Sequence, residues 1–270
     1  MFAELATLAI AVAYRIGVGR AWSTAGPNRI VHRWQVACFA AGAATVVIAL
    51  GPLHPLADHS LAGHMVQHVV LITVASPLLA LGGTVPALLW ALPEGGRRRL
   101  LPVWRRAVAS TNGAGWVWWA GLTIIGQSAV MWVWHAPLLF DAAVGHEWMH
   151  GLEHLSFLVS STVMWWVLLA GRRARRGAAT LALFVAAFPG TALGAALLLA
   201  PRPWYPPYVG PSIGAALADQ QLAGTIMWSF AGLVYVGASA VLFGTWLAAD
   251  SGDPAAARTV LVPRLGGGRP

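Results

Sequence analysis

Long apolar runs alternate with short polar segments along most of the chain. A helix that crosses a bilayer needs about 17 to 25 mostly apolar residues, and seven runs reach this length. They lie near residues 2–18, 34–50, 60–81, 115–135, 147–170, 178–200 and 220–247. The pattern predicts an all-α, polytopic transmembrane bundle forming one domain over residues 1–249, followed by a disordered cytoplasmic tail at residues 250–270. The first run is the weakest, because it carries Glu4, Tyr14 and Arg15.

Composition agrees with a membrane protein and limits its partners. Hydrophobic residues make up 58% of the chain and charged residues 10%, which excludes a soluble domain. Every basic residue is Arg, and all except Arg202 fall on one side of the predicted bundle. Because basic loops stay cytoplasmic, the N-terminus is expected outside and the C-terminus inside. The +8 net charge is thus a topology signal rather than a nucleic-acid surface.

Two pairs of histidines stand inside runs that otherwise read as membrane-spanning. His64 and His68 are four residues apart in the third run, and His150 and His154 repeat this spacing in the fifth. Residues at positions i and i+4 share one face of a helix. With a rise of about 1.5 Å per residue, both pairs lie at matched depth near the outer ends of their helices. An ionisable group within a membrane helix marks a functional site by default. We expect the two pairs to face each other if their helices are neighbours.

Neutral imidazole is a common ligand of copper, zinc and iron. The predicted metal ligands are therefore His64, His68, His150 and His154. A single cysteine, Cys38, excludes a Cys-x-x-Cys clasp. Candidates for further ligands, or for groups that orient the rings, are His135, Asp219, Gln67, Glu153, Met65 and Met149. The two methionines point about 100° away from the adjacent histidine, which suits a neighbouring soft site, and Asp219 also suits a cap of the last helix.

The histidine pairs leave two other functions open. Haem iron can be clamped by histidines from two helices, and Gly63 and Gly151 beside the pairs would admit a flat ring. A copper permease or ion relay would also place ionisable groups within the membrane. Against the relay, polar residues become sparse in the cytoplasmic half of the predicted bundle.

Several motifs combine into a recognisable pattern. They are His64-Met65-Val66-Gln67-His68 with Pro77, Gly82 and Pro86; Trp134-His135-Ala136-Pro137; His150 with Glu153-His154 and Trp165; and Asp219-Gln220-Gln221 with Ala223-Gly224 and Met227-Trp228. Together they resemble the polytopic CtaG family of cytochrome c oxidase assembly factors, the kind associated with caa-type oxidases. The family's polar positions correspond to His64, His68, His135, His150, His154 and Asp219.

The resemblance implies a function that the residue pattern alone does not. A family member would be a multi-pass protein of the bacterial plasma membrane, not an enzyme, that is needed to make active haem-copper oxidase and handles copper. Its partners would be an oxidase subunit or another copper-delivery factor, together with membrane lipid and no nucleic acid, and self-association stays open. The absence of a cysteine pair departs from thiol copper chaperones and speaks against transfer by thiolate exchange.

Overall fold

The computed structural model describes residues 2–113, 115–169 and 175–250, and these residues are almost entirely helical. No strand occurs within these three ranges, so the all-α prediction is confirmed. The helices are α1 (Phe2–Ala25), α2 (Arg33–Leu50), α3 (His54–His59), α4 (Leu61–Val70), α5 (Ser76–Leu81), α6 (Thr84–Ala91), α7 (Glu94–Asn112), α8 (Trp116–Trp134), α9 (Pro137–Gly145), α10 (Glu147–Leu169), α11 (Arg176–Leu199) and α12 (Ile213–Asp250). The predicted tail lies outside the described residues, apart from Asp250 at the end of α12.

Within the described residues, five helical segments are long and apolar enough to cross a membrane. They are Arg33–His59, Leu61–Leu81, Glu147–Leu169, Arg176–Leu199 and Ile213–Ala248. A sixth arises if α8 and α9, which meet at a bend of 71°, count as one broken span. The chain is therefore a polytopic membrane protein, whereas its seven-span count and its orientation stay predictions.

Two stretches differ from their sequence interpretation. Residues 94–112, expected as an arginine-rich loop, form helix α7, which begins after Pro93 with a 2.6 Å ion pair between Glu94 and Arg98. Gly95, Gly96 and Pro102 are unfavourable residues for a helix, so the sequence pattern does not predict this helix. The last helix begins at Ile213 rather than at residue 220, so Asp219 lies within α12 and does not cap it.

A π-helical turn, Leu71–Ala75, joins α4 to α5 and helps to set the position of α10. Pro77 has no N–H to donate, and the carbonyl of Ile72, five residues earlier, accepts a hydrogen bond from Trp165 Nε1 at 3.0 Å. Since a π turn pairs residues five apart, the indole of α10 replaces the donor that proline lacks. This bond ties α10 to the helix that carries His64 and His68.

Close packing of α11 on α12 places the last helix beside α4. A Cβ atom at Gly194 would lie 2.8 Å from the carbonyl oxygen of Gly224, so the two backbones can touch only because both residues are glycine. Helix α12 also packs along α4. Its polar residues Asp219 and Gln220 consequently reach the end of the bundle that holds the histidines.

Candidate metal centre

The two histidine pairs meet across α4 and α10. The ring centroids of His64 and His150 are 5.0 Å apart, and those of His68 and His154 are 5.2 Å apart. Within each helix the rings are 4.4 and 4.3 Å apart. The expectation that the pairs face each other is confirmed.

Potential ligand atoms converge within this cluster. One ring nitrogen from each of His64, His68 and His154 lies within 4.8 Å of the others, and a second such group joins His64, His150 and Glu153. Metal–nitrogen bonds of about 2.0 Å hold tetrahedral ligand atoms roughly 3.3 Å apart. Small side-chain rotations would therefore bring three imidazoles onto one ion.

A buried carboxylate accompanies the imidazoles. Glu153 precedes His154 on α10 and is 0% exposed. Its oxygens lie 3.9 Å from His64 Nε2 and 3.6 Å from His68 Nε2, which is too far for direct hydrogen bonds. Because burying a carboxylate without a positive partner is costly, Glu153 makes the cluster favourable for a cation.

The polar atoms of this cluster support the fit to a metal. Buried side-chain nitrogens and oxygens in proteins are almost always hydrogen-bonded. Among the residues that the structure describes, no hydrogen-bond partner reaches His64 Nε2, either ring nitrogen of His68, Nε2 of His150 and His154, or either oxygen of Glu153. A bound cation would pair lone pairs that the protein leaves unpaired, so the residues present fit a copper or zinc ion.

Tyr208, which is not among the sequence-predicted site residues, fixes the orientation of His64. Its hydroxyl donates to the carbonyl of Ala57 at 2.9 Å and lies 3.0 Å from His64 Nδ1. Since the single hydroxyl proton goes to Ala57, the oxygen accepts from Nδ1–H, which leaves the lone pair of His64 on Nε2. Burial raises the pKa of Tyr208, so the phenol keeps the proton that this arrangement needs.

His135 lies at the deeper side of the cluster, beside His68. Their ring centroids are 5.4 Å apart, and His135 is 2% exposed. His135 Nδ1 lies 2.8 Å from the carbonyl of Met131, and Nε2 lies 3.3 Å from the sulfur of Met65. The structure thus places two further sequence candidates, His135 and Met65, against each other.

Three other candidates stand apart from the convergent nitrogens. Gln67 donates to the carbonyl of Ala49 on α2 at 2.7 Å, so it ties two helices together. Asp219 accepts from the backbone N–H groups of Leu61 and Ala62 at 2.7 and 3.3 Å. Met149 is half-buried and makes no hydrogen bond to the cluster in the described part of the chain.

The residue next to Asp219 anchors the loop that carries Tyr208. Gln220 accepts from the backbone N–H of Trp204 at 2.6 Å and donates to the carbonyls of Leu197 and Arg202. Adjacent residues of α12 thus perform two tasks: Asp219 caps α4, and Gln220 fixes the loop that positions the tyrosine. The Asp-Gln motif therefore holds α4 and the loop of Tyr208 in place, although neither of its residues belongs to the cluster.

A polytopic helical bundle with buried, convergent histidines and a carboxylate defines the class as a membrane protein with a candidate metal centre. The family model described as cytochrome c oxidase caa3 assembly factor (Caa3_CtaG) matches residues 12–249. The chain belongs to this family, as the motifs predicted. No curated protein and no solved structure matches the chain.

Proposed function

We propose that this assembly factor holds copper at His64, His68 and His154, with His150 and Glu153 beside them, and aids its delivery to a haem-copper cytochrome c oxidase. The observation that carries the proposal is that ring nitrogens of three buried histidines converge within 4.8 Å. Among the described residues, His64 Nε2, both ring nitrogens of His68 and His154 Nε2 have no hydrogen-bond partner. Family membership supports a role in oxidase assembly. In this function the protein binds and transfers an ion and catalyses no reaction.

The packing of the rings favours a single ion over haem. Neighbouring imidazole centroids in the cluster lie between 4.3 and 6.1 Å apart. A haem clamped between two histidines would have to separate the rings that contact each other across α4 and α10. Imidazole suits both copper and zinc, and copper is the metal that a haem-copper oxidase requires.

An exposed histidine offers a route for the ion to reach the cluster. His54 begins α3, and its side chain is 46% exposed and lies 3.8 Å from Asp58. Its ring centroid is 5.8 Å from that of His150, which in turn is 5.0 Å from that of His64. In the predicted orientation this route opens on the outer face of a bacterial plasma membrane, where an oxidase subunit or another copper-delivery factor would dock.

The proposal is tested by replacing both histidines of α4. A His64→Ala/His68→Ala strain should contain the variant at wild-type abundance and much less active oxidase, and the purified variant should lack the copper that wild type retains. The matched control is His59→Ala/His146→Ala, which removes two exposed imidazoles, one just before α4 and one just before α10, and should change neither quantity. Normal oxidase activity in the His64→Ala/His68→Ala strain would refute the proposal.

A further inference from the structure

His135 and Met65 form a contact that hydrogen bonding alone does not explain. Both side chains are buried, with exposures of 2% and 0%. His135 Nδ1 lies 2.8 Å from the carbonyl of Met131, and a carbonyl can only accept, so this nitrogen carries the proton of a neutral ring. His135 Nε2 then presents a lone pair to the Met65 sulfur at 3.3 Å, and a thioether has no hydrogen to donate. Two electron-pair donors therefore face each other.

A small cavity lies on the same side of the cluster. It has a volume of about 30 Å³, and its walls include His68, His135, Met131 and Met227. A space of this size accepts one water molecule or one ion. Both ring nitrogens of His68 lack a hydrogen-bond partner among the described residues. The imidazoles of His68 and His135 thus border a space large enough for one ion, and His135 also contacts the sulfur of Met65.

We propose that Met65 Sδ and His135 Nε2, with His68, form a second metal position that takes Cu(I). This inference rests on the proposed copper-handling function and adds the oxidation state and the position of a second ion site. A thioether is a soft ligand that favours Cu(I), whereas carboxylate suits harder ions. Met65 and His135 are both uncharged donors, and the Glu153 oxygens lie 3.9 Å from His64 Nε2 and 3.6 Å from His68 Nε2, the ligand that the two positions share.

His68 is placed to serve both positions. Its ring centroid is 5.2 Å from that of His154 and 5.4 Å from that of His135. An ion moves between the two positions while it stays bound to His68. Its other ligands change from His64 and His154 to His135 and Met65. Cu(I) enters and leaves each position as Cu(I), so the exchange needs no electron donor or acceptor.

The test compares two conservative methionine variants of the full-length protein in detergent. Met65→Leu removes the thioether but keeps nearly the same volume. Met164→Leu is the matched control, because Met164 is also 0% exposed but belongs to the separate core around Trp165. Each protein is loaded anaerobically with Cu(I), its ligands are identified by X-ray absorption, and its affinity is measured by competition with a chromophoric chelator. Zn(II) affinity is measured in parallel.

We expect a sulfur ligand on Cu(I) in wild type and in Met164→Leu, and nitrogen ligands alone in Met65→Leu. Cu(I) affinity should fall at least tenfold in Met65→Leu, while Zn(II) affinity changes less than about threefold, since zinc uses the histidine cluster. Copper bound only by nitrogen in wild type, sulfur that persists in Met65→Leu, or an equal loss of both metals would overturn the inference and leave the copper proposal standing. If wild type bound no copper, both proposals would be wrong.

Discussion

Two buried regions of the same bundle differ in the hydrogen bonding of their polar side-chain atoms. Around Trp165, the indole nitrogen donates to the carbonyl of Ile72, and the indole of Trp116 donates to the carbonyl of Val167, each at 3.0 Å. Around His68, in the described part of the chain, both ring nitrogens and both oxygens of the neighbouring Glu153 lack a hydrogen-bond partner. Both regions lie among tightly packed apolar side chains.

The difference separates a region whose indole nitrogens are paired within the bundle from one in which the described residues leave ring nitrogens and carboxylate oxygens without a partner. Within hydrocarbon, each unsatisfied polar group costs several kcal/mol, so the indole bonds are what a structural role requires. Ser161 and Thr162 of α10 also have no partner among the described residues, but a helix hydroxyl can turn to a carbonyl one turn earlier. Fixed imidazole lone pairs have no such alternative, and in the proposed function a cation would supply the missing partner.

Metal binding should produce the largest change in stability. This change should depend on the histidine region alone. At a free metal concentration of about 1,000 times Kd, binding stabilises the folded state by about 4 kcal/mol. For a chain of this size that raises the unfolding midpoint by roughly 10 °C. Thermal unfolding in detergent, with and without Zn(II), should show this shift for wild type and for His59→Ala/His146→Ala but not for His64→Ala/His68→Ala. An equal shift in the last variant would place the ion elsewhere.

Removing one indole bond tests the opposite region. Trp165→Phe leaves the carbonyl of Ile72 without its donor, and an unsatisfied buried acceptor costs about 1–3 kcal/mol. We expect a lower midpoint in the metal-free protein and an unchanged metal stoichiometry. Trp118→Phe is the control, because Trp118 is 84% exposed and its replacement should leave the midpoint in place. If Trp165→Phe unfolded like wild type, the indole bond would not be what completes this region.

Glu153→Gln distinguishes the charge of the carboxylate from its shape. The amide fills the same space, but it no longer balances a cation, so we expect Zn(II) affinity to fall by about 10- to 100-fold, as for other groups that support metal ligands. The metal-free variant should be at least as stable as wild type, because a buried carboxylate without a partner is costly. Competition with a chelator measures the first quantity, and thermal unfolding the second. A less stable metal-free variant with unchanged affinity would assign Glu153 a purely structural role.

The sequence predicts those parts of the site that follow from helix geometry. The i, i+4 spacing and the equal depth of the two pairs suffice to bring His64 opposite His150 and His68 opposite His154, once α4 and α10 are neighbours. The all-α fold likewise follows from run length and composition. These features depend on local periodicity, which can be read along a single segment.

Contacts between distant segments could not be predicted in the same way. Tyr208 reaches His64 across 144 residues from a proline-rich loop, and Asp219 reaches Leu61 across 158. Neither contact leaves a periodic signal, because each depends on how α12 and its preceding loop pack against α4. From sequence spacing, Asp219 is predicted to be either a metal ligand or a cap of its own helix. In the structure its carboxylate caps a different helix, α4.

The smallest expected effect is that of replacing Asp219, which distinguishes a cap of α4 from a metal ligand. If the carboxylate acts as a cap for α4, Asp219→Ala should lower the free energy of unfolding by about 1 kcal/mol and leave metal content unchanged. Asp219→Asn is the matched control, because its side-chain oxygen can still accept from the N–H groups of Leu61 and Ala62 and should restore most of the loss. Unfolding midpoints and metal analysis on the same preparations provide both readouts. Loss of copper in Asp219→Ala, on the scale of His64→Ala/His68→Ala, would instead extend the metal site to the last helix.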